Sequence, residues 1–359
     1  MSKVSRSIGS RRALLGLGAF AAISLAGALV TGFDVLPEAA PPPPEPEPRF
    51  ERSFDVSTFQ KGNLHAHSNW SDGDSSPADV YRWYRNNGYQ FAVLSDHHQR
   101  VDPRVFAWVN RPDFVAVPGE EITLTIKNKP VHVNALCTSR TIGGKSFDDR
   151  RAGLAWAVEQ VNEQGGVALV NHPNFAWAVD VEDLAATPGA RLLEIMNGHA
   201  HVPWRGNATH DSQEVMWTKL LDRGYDFAAV AVDDAHRFRD SGAPDAKPGT
   251  GWVQVFASEA SVPAVCHALA RGDLYASNGP AIARIVVDDQ RIEIWPEAKD
   301  ARVEFVGEGG ALLAAIEPDE SGRAVYVLRG DEPYVRARVL DGEGHTAWTQ
   351  AYRVVKRGG

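Results

Sequence analysis

From about residue 60 to residue 240, short apolar runs end repeatedly in clusters of histidine and carboxylate. Ser95-Asp96-His97-His98 follows the run Tyr89 to Leu94, Asn171-His172-Pro173 follows Val167 to Val170, and Asp233-Asp234-Ala235-His236 follows Phe227 to Val232. Ionisable groups left unpartnered at the edge of a core are costly, so their recurrence at the ends of buried runs calls for a compensating charge. Divalent cations supply one.

Between these runs lie helical patterns. Ser76 and Pro77 supply an N-cap and a proline for the first turn, and Gly88 closes the segment. Arg150 to Asn162 reads as a helix stopped by Gly165-Gly166, and Ser212 to Asp222 as another ended by Gly224. Phe114 to Val117 and Leu192 to Met196 read as further buried strands. Strand, loop and helix in repetition predict a parallel sheet covered by helices and closed into a barrel. Every cluster then falls at a strand C-terminus, the rim where barrel enzymes place their chemistry.

The first cluster is His65-Ala66-His67. Side chains at i and i+2 of an extended segment share a face, so both imidazoles can reach one cation. Alone the pair says little. With Asp72, His97, Glu121, His132, His172, Asp234 and His236 also at or near strand ends, it becomes part of a metal constellation.

Here the chain resembles the polymerase and histidinol phosphatase, or PHP, superfamily. The matching stretches are His65-Ala66-His67-Ser68 with Ser71-Asp72-Gly73, Ser95-Asp96-His97, Pro118-Gly119-Glu120-Glu121-Ile122-Thr123, His132-Val133-Asn134, Asn171-His172-Pro173 and Asp234-Ala235-His236, in the family's order. The resemblance implies a distorted (β/α)7-type barrel and two or three divalent ions, with zinc, manganese and iron all suited to nitrogen and oxygen ligands. It implies that His65, His67 and Asp234 hold one metal, that Glu121 bridges to a second bound by His132 and His172, and that Asp72, His97 and His236 hold a third. Glu121 is chosen over Glu120 because the family's glutamate directly precedes Ile-Thr, and Asp234 over Asp233 for its i, i+2 relation to His236.

The implied chemistry is hydrolysis by a metal-bridging hydroxide. No Gly-x-Ser-x-Gly elbow or Walker loop is present to suggest covalent serine chemistry or nucleotide hydrolysis of that kind. His199, His201 and His210 follow the Leu192 run in a loop expected over the same rim, with His199 the candidate general acid. Asn197, His201, Arg237 and Asn278 are candidate substrate contacts. The loop Arg271 to Pro280, together with Trp348, resembles the CehA/McbA branch of the superfamily, which includes carbaryl hydrolases. A small-molecule phosphate ester is the expected substrate. Cleavage of carboxylic esters or carbamates at the same centre is the second reading, and a non-catalytic metal-binding envelope protein is the third.

The termini carry other information. Arg11-Arg12 directly precedes an apolar run from Leu17 to Val30, which resembles a twin-arginine export signal. The stretch 13–31 also approaches the roughly 20 residues that span a bilayer, so an uncleaved inner-membrane anchor is the alternative. Residues 1–32 are thus signal or anchor, 33–52 a proline-rich spacer, 53–280 the catalytic barrel, and 281–359 a small antiparallel, sandwich-like β domain whose short alternating strands are separated by glycine turns. The expected location is periplasmic or extracellular. A net charge of -9 excludes a protein held to nucleic acid by a basic face. Cys137 and Cys266 lie far apart and outside any CxxC spacing, which excludes a thiolate metal site. They read as two small buried hydrophobes, with one disulfide as the alternative.

Overall fold

Apolar alternation sorts the chain into three sheets rather than one closed barrel. The computed structural model describes residues 48–356 except 128, 240–244 and 299. The arginine pair, the apolar run and most of the proline-rich spacer lie outside the described residues. Among those described, no helix is long and apolar enough to cross a membrane.

In one sheet the strands Gln60–Asn63, Phe91–Val93 and Val115–Val117 run parallel. In a second, Val167–Val170, Leu192–Asn197 and Ala228–Val232 also run parallel. These two triplets enclose a common apolar core, with Leu64, Phe91, Val93 and Val117 meeting Leu169, Leu192, Val230 and Val232. All are buried.

What departs from the expected barrel is the stretch between the triplets. A hairpin of Glu121–Ile126 and Lys129–Leu136 occupies it, antiparallel within itself and antiparallel to Val167–Val170. A parallel barrel needs a crossover helix between successive strands, and a tight hairpin instead reverses the chain. The bridges at the rim are isolated ones, Ala66 to Ala235 between the two triplets and His97 to Glu121 between the first triplet and the hairpin, so no continuous ladder closes among the described residues. The architecture is mixed α/β in several sheets.

The helices sit where the sequence places them. Arg150–Asn162 starts at an Asp149 cap, Pro77–Asn86 at Ser76 and Gln213–Asp222 at Ser212, each cap side chain accepting a backbone N–H of the first turn. Beyond residue 281 the strands are antiparallel. A four-stranded sheet containing Ile282–Val287 and Arg291–Pro296 packs across a core of Ile285, Ile294, Phe305, Val335 and Val339. The later strand Thr346–Thr349 pairs with Leu274–Ser277, so the C-terminal layer runs edge to edge into the sheet that carries His65 and His67.

Cys137 and Cys266 form a disulfide, with Cα atoms 6.0 Å apart and a separation of 129 positions in sequence. The reading of two free buried thiols is corrected here. The hairpin ending at Leu136 and the helix Val262–Arg271 both pack against the shared core, which brings the sulfurs together.

Candidate metal centre

The hairpin that breaks the barrel builds the centre. Directly opposed residues of an antiparallel pair share a face, and here Glu121 opposes Asn134 while Thr123 opposes His132. One face therefore presents Glu121, Thr123, His132 and Asn134, while Ile122, Leu124, Val131 and Val133 enter the core from the other. His65 and His67 emerge just after their strand, fully buried, with their Nε2 atoms 3.2 Å apart.

Each acidic doublet is divided by its surroundings. Glu120 accepts backbone N–H groups of Ile142 and Gly143 at 2.8 and 2.6 Å. Glu121 instead lies among five imidazoles: 2.8 Å from His132 Nδ1, 3.2 Å from His67 Nε2 and His97 Nδ1, 3.3 Å from His65 Nε2 and 3.4 Å from His172 Nε2. Asp233 is occupied by Tyr84 Oη and by the backbone N–H groups of Thr250 and Gly251. Asp234 lies 3.2 Å from His65 Nε2 and 3.4 Å from His67 Nε2. Its backbone is in the left-handed region at φ 52°, a conformation short polar residues tolerate.

Asp72 arrives on a loop that Asp96 holds. The Asp96 carboxylate accepts from Ser68 N, Ser68 Oγ and Ser71 Oγ at 2.6 to 2.8 Å. Gly73 is required in that loop, since a Cβ there would fall 2.4 Å from the His67 carbonyl oxygen. Asp72 Oδ1 then lies 3.4 Å from His236 Nε2, and Oδ2 lies 3.6 Å from His97 Nε2.

Ligand atoms gather in four triplets, each within 4.8 Å: His65, His67 and Glu121; His65, His172 and Asp234; His67, Asp72 and His236; His97, Glu121 and His132. The triplets overlap at His65, His67 and Glu121, so all nine residues singled out in the sequence form one cluster. The grouping differs from the expected one at His172, which joins His65 and Asp234, and at His97, which the bridge to Glu121 draws toward His132 as well as toward Asp72.

The electrostatics suit cations. Burial opposes the charge of Glu121, yet His132, His65 and His97 hold its carboxyl well below the usual range. Asp234 is likewise penalised by burial and held low by His65, His67 and His236. Burial also disfavours protonated His67, but hydrogen bonds to Asp234 and Glu121 push it up to about 10. Among the described residues no lysine or arginine lines this cleft of about 230 Å³. Its carboxylates are balanced only by protons on imidazoles, which divalent cations can replace, and the nitrogen and oxygen donors fit zinc, manganese or iron.

Sequence reasoning missed Glu194. Fully buried, it takes His65 Nδ1 at 2.7 Å, the backbone N–H of His172 at 2.8 Å and Asn197 Nδ2 at 2.9 Å. It fixes which face His65 turns to the cluster, as carboxylates behind metal-binding imidazoles do. A single acidic residue inside the apolar strand Leu192–Asn197 was the available signal. Thr123 Oγ1 at 2.8 Å steadies His97, and Asn171 Nδ2 donates to Glu121 at 2.8 Å.

The other candidate residues divide. His199 and His201 line the metal cleft. Asn197 does not reach it as a free contact: its amide donates to Glu194 and Asp234 while its carbonyl oxygen accepts from His199 N. Arg237 is exposed and absent from the lining. Asn278 lines a neighbouring cleft.

No protein-family model and no curated protein matches the chain. Three of the solved structures that share part of its backbone path follow. A two-domain protein from Bacteroides vulgatus containing a predicted PHP-like metal-dependent phosphoesterase is 15% identical over 88% of this chain and 100% of its own, with a TM-score of 0.45. A protein from Bifidobacterium adolescentis assigned as a metal-dependent phosphoesterase is 14% identical over 53% of this chain and 91% of its own, at 0.40. A lesion-specific endonuclease from Pyrococcus furiosus is 12% identical over 60% of this chain and 56% of its own, also at 0.40.

Proposed function

We propose that this chain is an exported metal-dependent hydrolase of the PHP type that cleaves phosphate esters. One observation carries the reading: Glu121 is buried among five imidazoles, beside Asp234, in a cleft that no lysine or arginine lines among the described residues. His65, His67, Asp72, His97, Glu121, His132, His172, Asp234 and His236 would hold two or three divalent cations. When bound, those ions would activate a water and polarise the ester's electrophilic centre.

The chain's own groups do the rest. Glu194 and Thr123 set ring orientation, and Asn197 and Asn171 fix the two central carboxylates. His199 accepts the backbone N–H of His201 on Nδ1 at 3.1 Å, so its neutral ring carries the proton on Nε2. Burial pushes this imidazole's pKa down, with His236, His201 and His172 adding to the effect against Asp234. The Nε2–H of the neutral ring can hydrogen-bond a leaving oxygen, and proton transfer to that oxygen would come from the imidazolium form.

Carboxylic ester or carbamate cleavage is the second reading, resting on the resemblance of the Arg271 to Pro280 loop, whose Asn278 lines the cleft beside the metal site. Export rests on the Arg11-Arg12 signal, and the Cys137–Cys266 disulfide supports it, because such bonds persist in oxidising compartments.

Elemental analysis of the purified full-length protein, followed by turnover of phosphomonoester, phosphodiester, aryl ester and carbamate substrates, tests the reading. Bound divalent metal with phosphate release supports it; metal-loaded protein inert toward all four classes sinks it. Lysines in place of Arg11 and Arg12 should retain the protein in the cytoplasm, and unaltered export would remove the signal assignment.

A further inference from the structure

A second cleft of about 590 Å³ adjoins the metal cleft, and the two share His199 and Val202 as walls. Among the described residues its lining carries Arg205 and Lys247 and no carboxylate, in a chain whose net charge is -9. Neither cation has an ion-pair partner among the described residues, although most other arginines of the molecule do. The Arg205 guanidinium lies 3.9 Å from the centre of the Trp204 ring. Stacked in this way it holds its plane while its N–H edge stays available to an anion.

The far wall comes from the C-terminal layer. His345 Nδ1 lies 3.0 Å from Asp341 Oδ2, and the same carboxylate accepts the backbone N–H groups of Glu343 and His345. The Asp341–His345 turn is locked to the strand end that precedes it in space: Thr346 N donates to Asn278 Oδ1 at 2.7 Å, and Gly279 packs so closely that a Cβ there would meet His345 Cβ at 2.4 Å. A carboxylate behind one ring nitrogen leaves the other for a ligand in the cleft that this imidazole lines.

We infer that this cleft binds a second anionic group of the substrate, so that the enzyme acts on esters carrying a phosphate or carboxylate besides the one that is cleaved. The inference rests on the proposed hydrolase reading and names its substrate class. It also gives the C-terminal strands a functional role, since they bring His345 to the cleft and thereby set specificity. Isolated cations of one sign beside a reaction centre concentrate and orient an anion without taking part in bond cleavage.

The experiment is calorimetric binding to the metal-loaded full-length protein and to the Arg205→Ala, Lys247→Ala and double variants. The probes are fructose 1,6-bisphosphate against fructose 6-phosphate, and 3-phosphoglycerate against glycerol 3-phosphate, with phosphate release followed in parallel. Wild type should bind each doubly anionic probe more tightly than its partner. Each substitution should weaken the doubly anionic probe roughly tenfold, bringing the affinity ratio toward one. The sugar pair reads a second phosphate and the three-carbon pair a carboxylate, so a preference in only one pair identifies the anion. Equal affinities in both wild-type pairs, or equal loss for both members of each pair in the variants, overturns the inference. Discriminating binding without phosphate release would remove the proposed reaction and leave the anion cleft standing. His345→Asn provides a further variant that keeps the turn's polarity, and it should lower the same ratio.

Discussion

The metal rim and the C-terminal strand layer both bury charge, but they balance it differently. In the C-terminal layer each charge meets a fixed partner. Arg336, 2% exposed, reaches Glu214 Oε1 at 2.7 Å, and Glu293 meets Arg291 and Arg323 at 2.9 and 3.2 Å. Glu332 accepts the backbone N–H groups of Arg329 and Gly330 and the hydroxyl of Tyr326. At the rim the charged partners of Glu121 and Asp234 among the described residues are imidazoles, whose positive charge comes and goes with a proton. A region neutralised by arginine is finished when it folds. One neutralised by histidine is open to exchange with metal.

The contrast can be broken most severely at His67. His67→Ala should lower ester turnover on the order of 10³-fold and remove at least one cation per chain, while the protein still melts cooperatively. Turnover and metal content at wild-type levels would mean that the rim is a structural salt-bridge cluster like the other. Next, Arg336→Met should cost about 3 kcal/mol in urea unfolding, because Glu214 loses its nearest cation and keeps only Trp348 Nε1 at 3.1 Å and Arg338 at 3.6 Å, yet leave the metal content unchanged. A loss of metal there would couple the ion pairs of the C-terminal layer to the rim.

Glu194→Gln sharpens the rim side. Cation affinity should fall roughly 10- to 100-fold, because the amide supports His65 less strongly than the carboxylate does. Equilibrium titration of metal into chelator-treated protein reads this directly, and an unchanged affinity would reduce Glu194 to packing. The gentlest test is pH. With His67 raised to about 10 in the metal-free cluster, each loading event must expel a proton. Affinity should therefore weaken about tenfold for each unit that pH falls below that value, with matching proton release in unbuffered titration. Constant affinity between pH 6 and 9 would show that protons do not hold the place of the cations.

Local signals carried a large part of the site. The spacing of His65 and His67, the residues flanking Glu121, and the i, i+2 relation of Asp234 and His236 each depend on a few neighbours, and all nine marked side chains come together. The helix Arg150–Asn162 was legible for the same reason, through its periodicity and the glycines after it. Glu194 was not, because its meaning lies in an imidazole 129 positions earlier in the chain. Nor was the hairpin Glu121 to Leu136, since a strand's sequence records which residues are buried but not the direction of its neighbour.

The sequence by itself determined which atoms could bind metal and which segments would be strand or helix, because ligand chemistry and hydrophobic period are properties of short windows. Tertiary structure alone decided that His97 leans on Glu121 and His132, that Cys137 meets Cys266, and that His345 from the last strands walls a cleft beside the histidine and carboxylate cluster. Those outcomes depend on how separate sheets share one core, and that is fixed by packing between distant residues.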